Sequence, residues 1–264
     1  MSARVAEAAA RLRAAEEART PCNPVRELIG PQDVRAAYAV QEEGTKRRLA
    51  GGARLIGRKI GLTAASVQKQ LGVDQPDYGM LFADMEVPDG GCAPPGRLLQ
   101  PRAEAEIAFV LGRDLEREET SSTELLRAVE YALCAIEIVD SRIENWDIRI
   151  ADTIADNASS GLFVLGRRPV HVTDLDLALC GMVARKNGAI VSLGVGAACL
   201  GHPLDAMLWL AKAMKRVGRP LKAGDVVLSG ALGPMVSIAA GDIFSVEIQG
   251  LGGASLSFPR SGCG

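Results

Sequence analysis

The chain has 264 residues, 48% hydrophobic and 23% charged, with a formal net charge of −2 and a pI of about 5.8. That composition excludes a disordered chain and fits one large globular domain, with or without a small extension. No basic stripe marks a nucleic-acid partner, and no apolar run reaches the ~18 residues of a membrane span.

The first 20 residues are expected to form a helix over 3–18. They are rich in Ala, Leu, Arg and Glu, and the charges that interrupt the alanines leave no apolar core for a secretory signal. A second helix is expected from "PQDVRAAYAV", capped by Asp33 and ended by Gly51 and Gly52. A boundary there divides a helical N-terminal arm, 1–52, from a main body, 53–264. In the body, "RLIGRKIGLTA" reads as a strand and "TAASVQKQLG" as a short helix with Thr63 as N-cap and Gly72 past its end. "DQPDYGMLFADM" reads as a loop, "EAEIAFVLGRD" as a strand, "TSSTELLRAVEYAL" as a helix and "CAIEIVDSRI" as a strand. "IRIADTIADNASSG" is expected to be a polar loop feeding the strand "LFVLG". Further strands follow, with a hairpin turn at Asn187-Gly188 and one amphipathic helix, "LDAMLWLAKAMKRVG". Strands and helices do not alternate regularly, so an α+β architecture round a curved, mostly antiparallel sheet is expected rather than a doubly wound one.

The six cysteines, at 22, 92, 134, 180, 199 and 263, form no C-x-x-C pair and are read as reduced thiols of a cytoplasmic protein. Cys134 is expected in the core. With only His171 and His202, a His-rich zinc site is excluded, and both are read as loop or helix-start residues. "GVGAACLG" and "GLGGAS" lack the strand-turn-helix context of a dinucleotide site.

The stretch that asks for an explanation is "RAEAEIAFVLGR". On a strand Glu104 and Glu106 share a face, with Ala105 and Ile107 on the other. In "CAIEIVD" the same alternation isolates Glu137 from Ile136 and Ile138. If the two strands are neighbours, three carboxylates converge, and together they need a counter-charge. Mg²⁺ or Mn²⁺ suits an all-oxygen site. The pattern alone leaves two readings open, that cation site or a solvated strand face. In "LIGRKIGL" the bases Arg58 and Lys59 point to opposite faces. The acids and hydroxyls of "IRIADTIADNASSG" (Asp152, Asp156, Asn157, Ser159, Ser160) and of "VDQPDYGML" (Asp74, Asp77, Tyr78) are further candidates for binding groups.

Five ordered motifs carry a resemblance over nearly the whole chain. "GRKIGLTAASVQKQLGVDQPDYGMLFADM", "AEAEIAFVLG", "AIEIVDSRIENWDI", "DTIADNASSG" and "VVLSGALGPM" resemble the 2-hydroxypenta-2,4-dienoate hydratases of the fumarylacetoacetate hydrolase-like superfamily. The resemblance implies a mixed β-roll and a Mg²⁺ or Mn²⁺ ion held by Glu104, Glu106 and Glu137. It implies Lys59 at the substrate or in proton transfer, Asp77 and Ser160 in the pocket, and Ser229, Gly230 and Ala231 at the substrate end. Asp77 and a metal-bound water are the two candidates to activate the attacking water. The implied reaction adds water to a 2-hydroxydienoate to give 4-hydroxy-2-oxopentanoate, in the meta-cleavage breakdown of aromatic rings. It also implies a homo-oligomer, pentameric or decameric, and a complex with 4-oxalocrotonate decarboxylase. That sister activity is the nearest rival, followed by a hydratase for a longer dicarboxylic dienoate, which would require a further basic residue.

Overall fold

The computed structural model describes residues 2–64, 68 and 75–260. The predicted helix over 63–72 therefore lies largely outside the described residues, as do Asp74 and Cys263. Three helices form the arm: α1 (Ala3–Ala18), α2 (Arg26–Ile29) and α3 (Val34–Ala50). Asp33 caps α3 by accepting from the Ala36 N–H at 2.9 Å.

The body holds two sheets. The larger runs β2 (Asp77–Phe82), β1 (Leu55–Gly61), β9 (Val226–Leu228), β4 (Pro101–Leu111), β5 (Val129–Asp140) and β6 (Ser160–Leu165), with β10 (Val236–Ser237) also on β4. Among the described residues only β1 and β9 pair in parallel within it. The smaller sheet runs β3 (Gly91–Cys92), β12 (Gly252–Ser257), β11 (Ile243–Ile248), β7 (Gly181–Lys186) and β8 (Ala189–Val195). Asn187 and Gly188, both at positive φ, close the predicted β7–β8 hairpin. Among the described residues the remaining α-helices are α4 (Ser122–Ala128), α5 (Ile150–Ala155) and α6 (Pro203–Arg216). This is the expected α+β class, with mixed, mostly antiparallel sheets.

Three local expectations are corrected. Residues 77–82 are not loop but the fully buried strand β2, paired antiparallel with β1. Pro76 and Gly79 suggested a turn, but the run Tyr78–Phe82 is apolar enough to fill a core position between sheet and arm. The helix predicted through 133 stops at Ala128, and Val129–Leu133 extends β5, where β-branched and aromatic side chains pack well. The polar loop before β6 contains α5, every residue of which is buried, Asp152 included. Burial there is compensated: Arg26 donates to Asp152 Oδ2 at 2.7 Å, and its backbone N–H to Oδ1 at 2.8 Å.

That ion pair shows why the arm bears on the site. A second hydrophobic cluster joins Val5, Leu12, Ala37 and Val40 of the arm to Ile143, Ile150 and Ile154. Gln41 of α3 is buried and donates to the carbonyls of Tyr78 (2.8 Å) and Ile154 (3.1 Å), tying β2 to α5. His202 accepts from the Leu204 N–H at the start of α6, and His171 bonds Thr173, so both histidines have local roles. Cys134 is fully buried in the core. No described helix is long and apolar enough to cross a membrane.

Candidate active site

Strand pairing assembles the acids. Glu104 of β4 stands directly opposite Glu137 of β5, and Glu106 opposite Ala135, so the three carboxylates share one face. One oxygen from each lies within 4.8 Å of the others. Glu106 and Glu137 are buried and Glu104 is half-buried. Lys59, on β1, is also buried, and its Nζ stands 3.2 Å from Glu137 Oε1. Asp77 begins β2 across the ladder from Gly61. A methyl group at Gly61 would meet Asp77 Oδ1 at 2.2 Å, so only glycine leaves the carboxylate its place.

Few hydrogen bonds offset this burial. Glu106 Oε2 accepts from the Gly230 N–H at 2.8 Å. Glu106 Oε1, both Glu137 oxygens and both Asp77 oxygens have no hydrogen-bond partner among the described residues. The Lys59–Glu137 contact is thus an ion pair without hydrogen-bond geometry. Burial pushes the Glu104 carboxyl up to about 7, helped by the charge of Glu137. Burial, Glu137 and Glu104 raise Glu106 well above the carboxylate range, and burial raises Glu137 against the pull of Lys59. Asp77 is pushed up to about 6 by burial, with Lys59 pulling the other way. Burial alone would weaken the Lys59 ammonium, but Glu137 and Asp77 hold it charged, above its ordinary range. Converging buried carboxylates with free oxygens fit a hard divalent cation, whose charge would lower all three.

A cavity of about 450 Å³ opens in front of this group. Lys59, Asp77 and Glu104 line its polar side, and Leu62, Val139 and Ile148 its apolar side. Five of the nine described non-glycine residues at positive φ also line it: Leu62, Asn145, Trp146, Ala158 and Ser159. Such conformations cost on the order of 1 kcal/mol each and gather where surrounding structure forces a shape.

The other sequence candidates fall differently. Ala231 lines this cavity. Gly230 serves it indirectly, through its N–H to Glu106. Ser229 is fully buried and tied to β4, its Oγ accepting from the Ile107 N–H at 3.2 Å and donating to the Gly230 carbonyl at 3.1 Å. Ser160 donates to the Asn157 carbonyl and faces a second cavity of about 360 Å³ between arm and body. Its neighbour Ser159, with Thr153, lines the first. Neither Ser229 nor Ser160 is therefore placed to meet a ligand beside Lys59. In the second cavity Arg13, Arg47, Arg48 and Arg142 each already face an acid: Glu17, Glu16, Asp84 and Asp156.

The Gly230 position is testable. Its φ is +103°, and a Cβ would meet Thr63 Oγ1 at 2.3 Å. Gly230→Ala is expected to cost about 2 kcal/mol or more and lower Tm by roughly 5 °C. Activity should fall as well, because the N–H that orients Glu106 moves; melting curves and initial rates check both.

The fumarylacetoacetate (FAA) hydrolase C-terminal family matches residues 62–256, which span β2, the three glutamates and all later strands. The chain belongs to that family. It is 61% identical over 238 residues to the TodF product hydratase of Pseudomonas putida, covering 90% of this chain and 89% of that one. It is 58% identical over 251 residues to 2-keto-4-pentenoate hydratase 1 of Dechloromonas aromatica, covering 95% of each. Among solved structures it superposes on 4-oxalocrotonate decarboxylase from Pseudomonas putida G7, complexed with magnesium and adipate. The TM-score is 0.90 at 35% identity, over 96% of this chain and 97% of the other. Family members thus include the expected activity and its nearest rival on one fold.

Proposed function

We propose that this chain is a divalent-cation-dependent hydratase that adds water to 2-hydroxypenta-2,4-dienoate, giving 4-hydroxy-2-oxopentanoate. The observation that carries it is the Glu104, Glu106 and Glu137 cluster, whose half-buried member Glu104 lines a ligand-sized cavity with Lys59, in a chain 58% identical to a 2-keto-4-pentenoate hydratase. Mg²⁺ or Mn²⁺ held by the three glutamates would, together with Lys59, balance their charge and act as a Lewis acid on the substrate's 2-oxygen.

The chain's own groups suit the proton steps. The dienol loses its O–H proton and gains one at C5, which gives a conjugated 2-oxo-3-enoate. Water then adds, its oxygen to C4 and a proton to C3. The Lys59 ammonium, held charged, stabilises negative charge developing on the 2-oxygen. Asp77, with a pKa of about 6, can take a proton and return it near neutral pH. The apolar side of the cavity keeps bulk water from the diene.

The test is the ultraviolet absorbance of freshly made substrate with enzyme and Mg²⁺ or EDTA, with the product identified by mass. Cation-dependent loss of the diene and a product heavier by one water is the expected result. Release of CO₂ from 4-oxalocrotonate instead would assign the sister reaction.

Cation binding should also appear in stability. The glutamates' folded pKa values lie above the ordinary 4.5, so their contribution is fully present below pH 4.5. Glu104 loses its share as pH rises through about 7, and Glu106 and Glu137, also raised, lose theirs as they charge against it. The metal-free protein should lose Tm between pH 5 and pH 8. Added Mg²⁺ should restore roughly 5 °C or more at pH 8 and little at pH 5, because protons compete for the ligands. Differential scanning fluorimetry over that range checks it; an equal Mg²⁺ shift at both pH values would count against the glutamate site.

The proposal extends to a homo-oligomer. Leu179, Ile190, Leu193 and Ile243 are exposed on and near β8, the edge strand of the smaller sheet, and support a subunit contact there. A solution mass several times 27.8 kDa is the expected result.

A further inference from the structure

Arg102 has no task in the hydration chemistry above, yet the fold holds it at the cavity with care. It stands two residues before Glu104 on β4 and so shares its face, opposite Val139, which also lines the cavity. Its guanidinium carbon sits 4.2 Å above the centre of the Trp146 ring. The platform is itself pinned. Trp146 Nε1 donates to the Gln100 carbonyl at 3.0 Å, and the Asn145 N–H donates to Gln100 Oε1 at 2.9 Å. The Gln100 amide in turn donates to the carbonyls of Ser141 and Ile143. Asn145 and Trp146 are both held at positive φ to make this geometry.

No carboxylate lies within 4.0 Å of the Arg102 guanidinium among the described residues, and its one side-chain contact of hydrogen-bonding type is Nη1 to Met235 Sδ at 3.5 Å. Sulfur is a weak acceptor. The arginines of the arm cavity, by contrast, all face acids. Stacking occupies the flat face of the guanidinium and leaves its in-plane N–H fork free, in the geometry that matches a carboxylate. Lys59, in contact with Glu137 and assigned to the 2-oxygen, is a point charge without the planar fork that matches a carboxylate.

We propose that Arg102, stacked on Trp146, is a substrate-binding residue that takes a carboxylate of the dienoic or 2-oxo acid in this cavity. The ligand class rests on the hydratase reading; the anion site itself rests on the geometry of Arg102. The carboxylate has two possible sources, the C1 group beside the 2-oxygen or a distal group of a dicarboxylic substrate. Arg102 is the basic residue that a dicarboxylic substrate would require.

The experiment uses the Mg²⁺-loaded wild type, R102M and R102K. Calorimetric titrations with 2-oxopentanoate and with 2-oxohexanedioate separate the two sources without turnover. If C1 is held, R102M weakens both acids by about 10- to 100-fold and R102K, which keeps charge but not the fork, recovers part of it. If the distal group is held, only the dicarboxylate weakens. Equal affinity of wild type and R102M for both acids overturns the proposal, as does a wild type that binds neither. Should R102M fail to fold, R102K alone must weaken binding several-fold, and unchanged affinity there is equally fatal. A wild type that binds the acids through Arg102 but does not hydrate the dienoate would overturn the reaction and leave Arg102 standing.

Discussion

Replacing Glu106 by glutamine is expected to abolish hydration while leaving the metal-free protein at least as stable as the parent. The two outcomes have one origin. Glu106 is fully buried, its Oε1 has no partner, and its charge is opposed by Glu104 and Glu137. Removing a buried carboxylate from a group of three relieves repulsion, and a glutamine oxygen can still accept from Gly230. With the cation added the sign reverses. A neutral amide is a poor ligand for a hard divalent ion, so the Mg²⁺-dependent rise in Tm should shrink or vanish. Loss of the Lewis acid removes several kcal/mol of transition-state stabilisation, and kcat/KM should fall by about 10³-fold or more. Melting curves with and without Mg²⁺, beside steady-state rates, check the pair of effects. A variant that unfolds, or one that keeps more than a tenth of the activity, would count against the cation site.

Much of this site was legible because strand alternation is a rigid rule. Parity alone placed Glu104 with Glu106 and separated Glu137 from its isoleucines, and the observed register sets Glu104 opposite Glu137. Lys59 was separated from Arg58 on the same ground. What alternation cannot supply is which strands neighbour one another: β1 meets β9 in parallel across about 170 residues of sequence, a pairing with no local signal. The same limit hid β2. Asp77–Phe82 carries turn residues at its head, and its strand state comes from β1 on one side and from Gln41 of the arm on the other. The α5 segment failed for a related reason, since its acids look solvated until Arg26, 126 residues away, is seen to neutralise Asp152. Ser160 and Ser159 differ by one residue, and a turn at positive φ over 157–159 decides which faces the cavity. Arg102 could have been found from parity, two positions before Glu104. Its freedom from any acid could not.

Replacing Lys59 by methionine should separate charge stabilisation on the substrate from cation binding. Methionine preserves the length and apolar stem of the side chain but removes the ammonium that lies 3.2 Å from Glu137. In the metal-free protein Glu137 then loses the one positive charge in contact with it among the described residues, and its pKa rises further. The carboxyl can respond by holding its proton, which limits the loss of stability that an unpaired buried charge would otherwise bring. Where the cation is present the change works the other way: one competing positive charge has gone, so Mg²⁺ affinity should be retained or increased at pH 8. Turnover should nonetheless fall by about 10²- to 10³-fold, the usual range for loss of one preorganised group facing a developing oxyanion. Calorimetric Mg²⁺ titration beside kcat measurement distinguishes the two substitutions, with Glu106→Gln losing both binding and rate and Lys59→Met losing rate alone. If Lys59→Met lost the cation as well, the ammonium would be holding the glutamates in place rather than acting on the substrate.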